Sequence, residues 1–114
     1  MPPASLQSLN ARYFYIVTFE IDPADEPLFN EIYETEHVPN ILTVDGVRGV
    51  MRYRDHAPNE QGWLVYSAMY FIDEPDLPDT DRWKEKSDLG RWKTVIRPRL
   101  KSRHRRFGQI KQVA

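Results

Sequence analysis

The chain of 114 residues contains no cysteine. A disulfide framework, a thiolate metal site and a cysteine nucleophile are therefore excluded, and the absence favours a reducing compartment, so we expect a cytoplasmic protein. No apolar run approaches the length of a membrane span, and the N-terminal segment MPPASLQSLNA lacks the basic start and apolar stretch of a secretory signal. We expect no membrane partner, and a flexible arm over residues 1–11.

Glycine and histidine are also scarce. The five glycines form no phosphate-binding loop, Walker sequence or GxSxG elbow, so neither nucleotide-driven chemistry nor serine hydrolysis is indicated. The histidines, His37, His56 and His104, form no HxH or HxxxH pair, which argues against a metal site. His104 is a candidate axial ligand for haem, but nothing else supports haem, so no cofactor is expected.

The formal net charge of −1 conceals an uneven distribution. Residues 1–80 carry 14 acidic and 4 basic side chains, whereas residues 81–114 carry 3 acidic and 12 basic ones. Such asymmetry can mark a nucleic-acid surface. Because the total is close to zero and no flexible basic tail is present, we favour attraction between two parts of one fold or between two subunits.

Strand and helix patterns alternate along the chain. Aromatic and β-branched residues predict four strands: 12–21, 47–55, 63–72 and 103–113. Apolar residues at helical spacing predict a helix from Leu28 to about His37, where Pro39 is expected to end or kink it. A second helical segment is predicted at 82–100, broken near Gly90. The order β-α-β-β-α-β predicts a ferredoxin-like α+β plait, with an antiparallel four-stranded sheet, as a single domain over residues 12–114.

Two of the predicted strands are apolar on both faces. Alternation divides the first strand into Tyr13, Tyr15, Val17, Phe19 and Ile21 on one face and Phe14, Ile16 and Thr18 on the other. Two helices cover only one face of such a sheet, and an exposed apolar face of this size is rare in a monomer. A second copy of the sheet is the simplest cover, and it would form a dimeric α/β barrel whose lumen is a small-molecule site.

Two segments carry a likeness to a known family. FNEIYETEHVPNILTVDGVRGVMRYR (29–54) has an aromatic residue, three residues, a histidine, then a proline and a Gly-Val pair entering the second strand. RWKEKSDLGRW…RPRL (82–100) is similar to a tryptophan-bearing second helix. The chain thus resembles the dimeric α+β barrel superfamily, in particular its EthD-like branch of small proteins. With the strand order, the resemblance covers nearly all of residues 12–112.

The resemblance implies a class of function. Similar proteins include cofactor-free monooxygenases, polyketide cyclases, muconolactone isomerases and haem-binding enzymes. We therefore expect a homodimer that binds a small aromatic or polyketide-like molecule in the barrel and catalyses cofactor-free acid/base chemistry, as oxygenation, cyclisation or isomerisation. The alternative is a non-catalytic ligand-binding or interaction protein of the same fold. An RNA-binding plait ranks third, because the third strand lacks the basic-glycine-aromatic signature of such modules.

His37 is the leading candidate for a catalytic residue. Its unperturbed pKa suits proton transfer near neutrality, and Glu34 or Glu36 is close enough in sequence to orient the imidazole. The resemblance implies that a histidine at this position points toward the pocket mouth and acts as acid or base. The structural alternative is that His37 hydrogen-bonds carbonyls left open where Pro39 ends the helix.

Tyr33 is the second catalytic candidate, because it precedes His37 by one helical turn on the same face. A buried core tyrosine with a satisfied hydroxyl is the simpler interpretation. Tyrosine, tryptophan and arginine side chains suit an aromatic or carboxylated ligand, and four are candidate ligand-binding residues: Arg52, Tyr15, Tyr70 and Trp83. Cross-strand packing is the alternative role of the strand tyrosines.

Overall fold

A computed structural model describes residues 10–111 and 113 of the chain. It contains four strands: β1 (Tyr13–Ile21), β2 (Val47–Arg54), β3 (Leu64–Ile72) and β4 (Ser102–Gln109). All four predicted strands are confirmed, although the last ends at Gln109 rather than at 113. Residues 1–9 of the predicted arm lie outside the described residues, and the domain bounds 12–114 stay a prediction.

The strands form one antiparallel sheet in the order β2-β3-β1-β4. The two central strands, β1 and β3, are the ones that the sequence marks as apolar on both faces. Tyr15 is paired with Tyr70 on one side and with Phe107 on the other, so the three rings share a face of the sheet. The predicted ferredoxin-like α+β fold is confirmed.

The helical layer consists of two interrupted helices. The first comprises α1 (Glu26–Ile32), a π turn (Tyr33–His37) and α2 (Val38–Leu42). The second comprises α3 (Asp81–Ser87), a second π turn (Trp92–Ile96) and a 3-10 turn (Arg97–Arg99). Gly90, with φ of +65°, separates α3 from the second π turn. The predicted break near Gly90 is confirmed. No helix of the described part is long and apolar enough to span a membrane.

Pro39 does not end the first helix, although an end is one of the two predicted outcomes. The helix is irregular at His37, where the sequence predicts an end or a kink. The Val38 N–H donates to the Tyr33 carbonyl, five residues back, so the turn before the proline is widened into a π turn. In a regular α-helix the ring of Pro39 would clash with the carbonyl of Thr35, four residues back. The wider π turn avoids this clash because it replaces the regular α-helical turn before the proline. The helix then continues through Pro39 to Leu42.

The two faces of the sheet differ in burial. On the helix-covered face, β1 buries Tyr15, Val17, Phe19 and Ile21. The opposite face, called the open face below, is covered by no element of the described chain and carries half-exposed or exposed apolar side chains: Phe14, Ile16, Met51, Tyr53, Val65, Met69 and Phe71. The sequence-based expectation of two apolar faces is therefore confirmed, and only one of them is covered.

Candidate functional site

A cavity of about 440 Å³ lies between the helix-covered face of the sheet and the second helix. It is lined by Tyr15, Val17, Phe19, His37, Tyr70, Pro78, Asp79, Trp83, Lys84, Ser87, Asp88, Trp92, Arg97, Leu100, Arg103 and Arg105. The sequence predicts a pocket in the lumen between two facing sheets. The cavity instead lies on the other side of the sheet, within one chain. Alternation separates the two faces of a strand but does not identify the face that carries a cavity.

His37 is in the wall of this cavity, and only 6% of its surface is exposed. Its ring stacks on Trp92 at a centroid distance of 4.4 Å and an interplanar angle of 28°. Among the described residues, its Nδ1 is the one buried side-chain nitrogen or oxygen without a hydrogen-bond partner. Burial, and secondarily the charge of Arg97, lowers the pKa of His37 to about 3, so the imidazole is neutral at neutral pH.

The interpretation of His37 as a residue that satisfies broken-helix carbonyls does not fit this geometry. The helix continues past His37, and the α2 residues make the next turn. Glu34 and Glu36 do not orient the imidazole either, because Glu34 binds Arg52 and Glu36 binds Arg91. A buried polar atom without a partner is uncommon in a folded protein.

The two π turns bring His37 and Trp92 together. Each is closed by a backbone hydrogen bond over five residues, from the Val38 N–H to the Tyr33 carbonyl and from the Arg97 N–H to the Trp92 carbonyl. In each turn the residue after the donor is a proline. Single π turns inside helices occur frequently at functional sites. The sequences YETEHVP (33–39) and WKTVIRP (92–98) share the pattern aromatic-x-Thr-x-x-x-Pro. Both turns thus share one sequence pattern, which is not by itself a strong propensity signal.

Tyr33 and Arg52 lie next to the cavity rather than in its lining. The Tyr33 ring is 4.9 Å from His37, and its hydroxyl is 2.5 Å from the hydroxyl of Tyr70. Burial raises the pKa of Tyr33 and of Tyr70, so both hydroxyls stay protonated. The Arg52 guanidinium lies 4.5 Å from the Tyr33 ring centroid and donates to Glu34 and Asn30.

Tyr15, Tyr70 and Trp83 do line the cavity, as the aromatic candidates should. The two tyrosine rings stack at 6.0 Å, and Trp83 meets each of them edge-on at 5.6 and 5.1 Å. Trp83 is placed by the cap of α3, where the Thr80 hydroxyl accepts from the Trp83 N–H. These rings form an aromatic wall that suits a planar ligand.

The cavity also contains charged groups that sequence reasoning did not single out. Arg105 donates to Asp79 at 2.6 Å and to the Tyr15 hydroxyl at 3.2 Å. Alternate residues of the basic strand β4 face opposite sides of the sheet. Arg103 and Arg105 lie on the cavity side, and His104 and Arg106 lie on the open face. A run of basic residues in the sequence gives no sign of this division.

No group of three or more histidine or acidic side chains within residues 10–111 and 113 is arranged to hold a metal ion. His104, the candidate haem ligand, lies on the open face beside Glu20, at 4.0 Å, with 71% of its side chain exposed. The imidazole lining the cavity is that of His37.

No protein-family model and no curated protein matches the sequence. Solved structures match in fold. A monooxygenase of Streptomyces coelicolor, in complex with the ligand nanaomycin D, has a TM-score of 0.67 and 14% identity over 91% of this chain and 91% of that one. A dimeric ferredoxin-like protein from an uncultured marine organism has a TM-score of 0.64 and 12% identity, covering 94% of each chain.

An EthD family protein of Bacillus halodurans has a TM-score of 0.58 and 19% identity, covering 87% of this chain and 99% of that one. At sequence identities of 12–19%, these comparisons show that the chain shares the fold of the three proteins. The ferredoxin-like α+β fold that the resemblance implies is confirmed.

Proposed function

We propose that the chain binds a small aromatic or polyketide-like molecule in the cavity and performs acid/base chemistry on it without a tightly bound cofactor. The supporting observation is the buried imidazole of His37 in the cavity wall, whose Nδ1 has no hydrogen-bond partner among the described residues. A volume of about 440 Å³ suits a ligand of two or three rings. Tyr15, Tyr70, Trp83 and Trp92 supply aromatic surface for it. The matching fold of a monooxygenase bound to nanaomycin D agrees with this proposal.

In the proposed chemistry, His37 takes a proton from a hydroxyl or an activated C–H group of the ligand. The ligand becomes a phenolate or an enolate, and the imidazole becomes an imidazolium. The cationic side chains around the cavity stabilise the developing negative charge, which offsets the low pKa of His37 in the empty site. Return of the proton to another atom gives isomerisation or cyclisation, and oxygenation requires dioxygen as co-reactant.

Tyr33 and Arg52 act on the ligand indirectly in this proposal. Tyr33 holds Tyr70 through the hydroxyl pair and flanks His37. Arg52, on β2, lies on the Tyr33 ring and donates to Glu34 and Asn30 of the first helix, which fixes the ring from the side of the sheet. Both are therefore positioning residues, while Tyr70 and Trp83 contact the ligand.

A non-catalytic binding protein of the same fold is the second candidate. The observation that favours it is the pKa of about 3 for His37, which makes the imidazole a weak base at neutral pH. In this case His37 only hydrogen-bonds the ligand. Incubation with the protein returns the ligand unchanged under this alternative and changes its spectrum under the catalytic one.

Replacing His37 by phenylalanine is expected to weaken binding of hydroxylated naphthalenes and anthraquinones about tenfold, because it removes the polar partner and keeps an aromatic ring beside Trp92. Quenching of tryptophan fluorescence measures the binding. The matched control is His56→Phe, in the exposed 56–62 loop. Equal affinities for the wild type and His37→Phe would contradict the proposed role of His37.

We further propose that the protein is a homodimer in which the open face of one copy covers that of another. The apolar side chains of this face are left half-exposed or exposed in the single chain. Met51 and Tyr53 are 51% and 47% exposed. Burying such a surface against its own copy is the closed, symmetric solution. One protein of matching fold is described as dimeric.

Met51→Arg is expected to weaken dimerisation at least about tenfold, because it places like charges in both copies of the apolar face. Light scattering after size-exclusion chromatography measures the subunit count over a dilution series. Leu89→Arg is the control, since Leu89 is 44% exposed and lies on the helical layer, away from the open face. A monomeric wild type, or an equal effect of both variants, would exclude this interface.

A further inference from the structure

Six side chains that are charged at neutral pH line the cavity. Two are acidic and four are basic: Asp79, Asp88, Lys84, Arg97, Arg103 and Arg105. The cavity wall therefore carries an excess of two positive charges, in a protein whose net charge is −1. The excess raises the local concentration of anions and disfavours cations.

Both acids are already paired with a cation. Arg105 binds Asp79 at 2.6 Å, and Arg97 binds Asp88 at 2.7 Å. Each arginine has a second anchor within the fold. Arg105 lies over the Tyr15 ring at 5.3 Å, and Arg97 donates to the carbonyl and hydroxyl of Ser87 at 3.1 and 2.9 Å. These two pairs are fixed parts of the wall, and their charges cancel.

Lys84 and Arg103 remain. Neither forms an ion pair or a side-chain hydrogen bond with any residue in the described part of the chain, whereas every other arginine that lines the cavity does. They come from different elements, α3 and β4, and both are exposed at the cavity. Two cations without an acidic partner thus converge on one cavity from its helical side and its sheet side.

His37 lies within reach of the Arg97 charge. Arg97 contributes to the lowering of its pKa, in the same direction as burial. The other residues packed against the imidazole, Tyr33 and Trp92, carry no charge at neutral pH. No carboxylate lies within 4.0 Å of the His37 nitrogens among the described residues, and Nδ1 remains unpartnered.

We propose that the ligand carries an anionic group, a carboxylate or an equivalent oxyanion, that Lys84 and Arg103 bind while its aromatic ring extends toward His37. This inference rests on the proposed function, because it assumes an aromatic ligand in this cavity. Lys84 and Arg103 then set ligand specificity, and the polar end of the ligand opposite the anion meets the imidazole. Charge-assisted hydrogen bonds from lysine and arginine to oxyanions are stronger than those between neutral groups.

The experiment compares 6-hydroxy-2-naphthoate with 6-hydroxy-2-naphthamide, which share the ring and a hydroxyl at the end opposite the carboxyl group and differ in the negative charge. Isothermal titration calorimetry of the intact protein measures both affinities. The naphthoate is expected to bind about tenfold more tightly than the amide, with a preference that shrinks as salt is raised. The variants Lys84→Gln and Arg103→Gln are each expected to reduce the naphthoate affinity several-fold and to leave the amide affinity within about twofold of the wild type.

Lys86→Gln is the matched control. Lys86 lies on the same helix, α3, and its removal changes the net charge equally, but it does not line the cavity. Circular dichroism confirms that each variant is folded. An equal loss of naphthoate affinity in Lys86→Gln would show a general charge effect and overturn the assignment.

The remaining outcomes separate this inference from the function on which it rests. If both probes bind equally and the binding depends on His37, the cavity takes aromatic ligands and the anion specificity is wrong. If neither probe binds at millimolar concentration, the aromatic-ligand proposal fails, and the anion site fails with it. A naphthoate preference that survives in the double variant Lys84→Gln/Arg103→Gln places the anion elsewhere and also overturns the inference.

Discussion

Replacing Trp92 by alanine is expected to lower the free energy of unfolding by about 3–5 kcal/mol, the range typical of large-to-alanine changes in a core. Trp92 is 3% exposed. It stacks on His37 and meets Phe19 and Tyr33 edge-on, with centroids at 5.3 and 5.1 Å. Its removal leaves a void in the core and leaves the imidazole without its stacking partner. Urea denaturation followed by circular dichroism measures the loss.

Trp63→Ala is the control for this substitution. Trp63 is partly buried, lies outside the cavity lining and has Lys101 over its ring at 4.6 Å. We expect a loss of stability less than half that of Trp92→Ala, and unchanged binding of aromatic ligands. A loss below about 1 kcal/mol for Trp92→Ala would contradict the view that this residue joins the two helices and the sheet in one core.

Acidification from pH 7 to pH 5 is expected to destabilise the wild type by about 2 kcal/mol more than it destabilises His37→Phe. The pKa of His37 is about 3 in the folded chain, and the ordinary histidine value applies after unfolding. Between these values the unfolded state binds more protons, so stability rises with pH. The contribution is fully present above pH 6.5 and is lost as the pH falls toward 3.

Urea denaturation of the wild type, His37→Phe and His56→Gln at pH 7, 6 and 5 tests this expectation. Glu26 and Glu36 have pKa values below their usual range, so the stability that they contribute is lost only at lower pH. The interval from pH 6.5 to 5 therefore reports mainly on His37. Parallel stability profiles for the wild type and His37→Phe would show that the imidazole is protonated normally in the folded chain.

The strands and their order follow from the sequence because their signals are local. Aromatic and β-branched residues mark β1 and β3, and a short loop at 56–62 joins β2 to β3 as a hairpin. The two apolar faces of β1 follow from alternation alone. Trp83, Tyr15 and Tyr70 are cavity residues, as expected from their chemistry.

The cavity itself could not be located from the sequence, because its position depends on how the helices pack. The π turn at Tyr33–His37 has no strong propensity signal, and Pro39 alone predicts a helix end rather than a widened turn. Tertiary packing also decides which of the cavity arginines has an acidic partner. Arg97 forms an ion pair with Asp88, on the other side of the helix break at Gly90, whereas Arg103 forms no ion pair within the described chain.

Strand β1 serves two surfaces with alternate residues. Tyr15, Val17 and Phe19 line the cavity, and Phe14 and Ile16 belong to the open face. Substitutions at odd-numbered positions can therefore reshape what enters the cavity while those at even-numbered positions adjust self-association. A lineage that carries this fold can diversify its ligands over time without rebuilding its assembly, because selection on one surface leaves the other largely untouched.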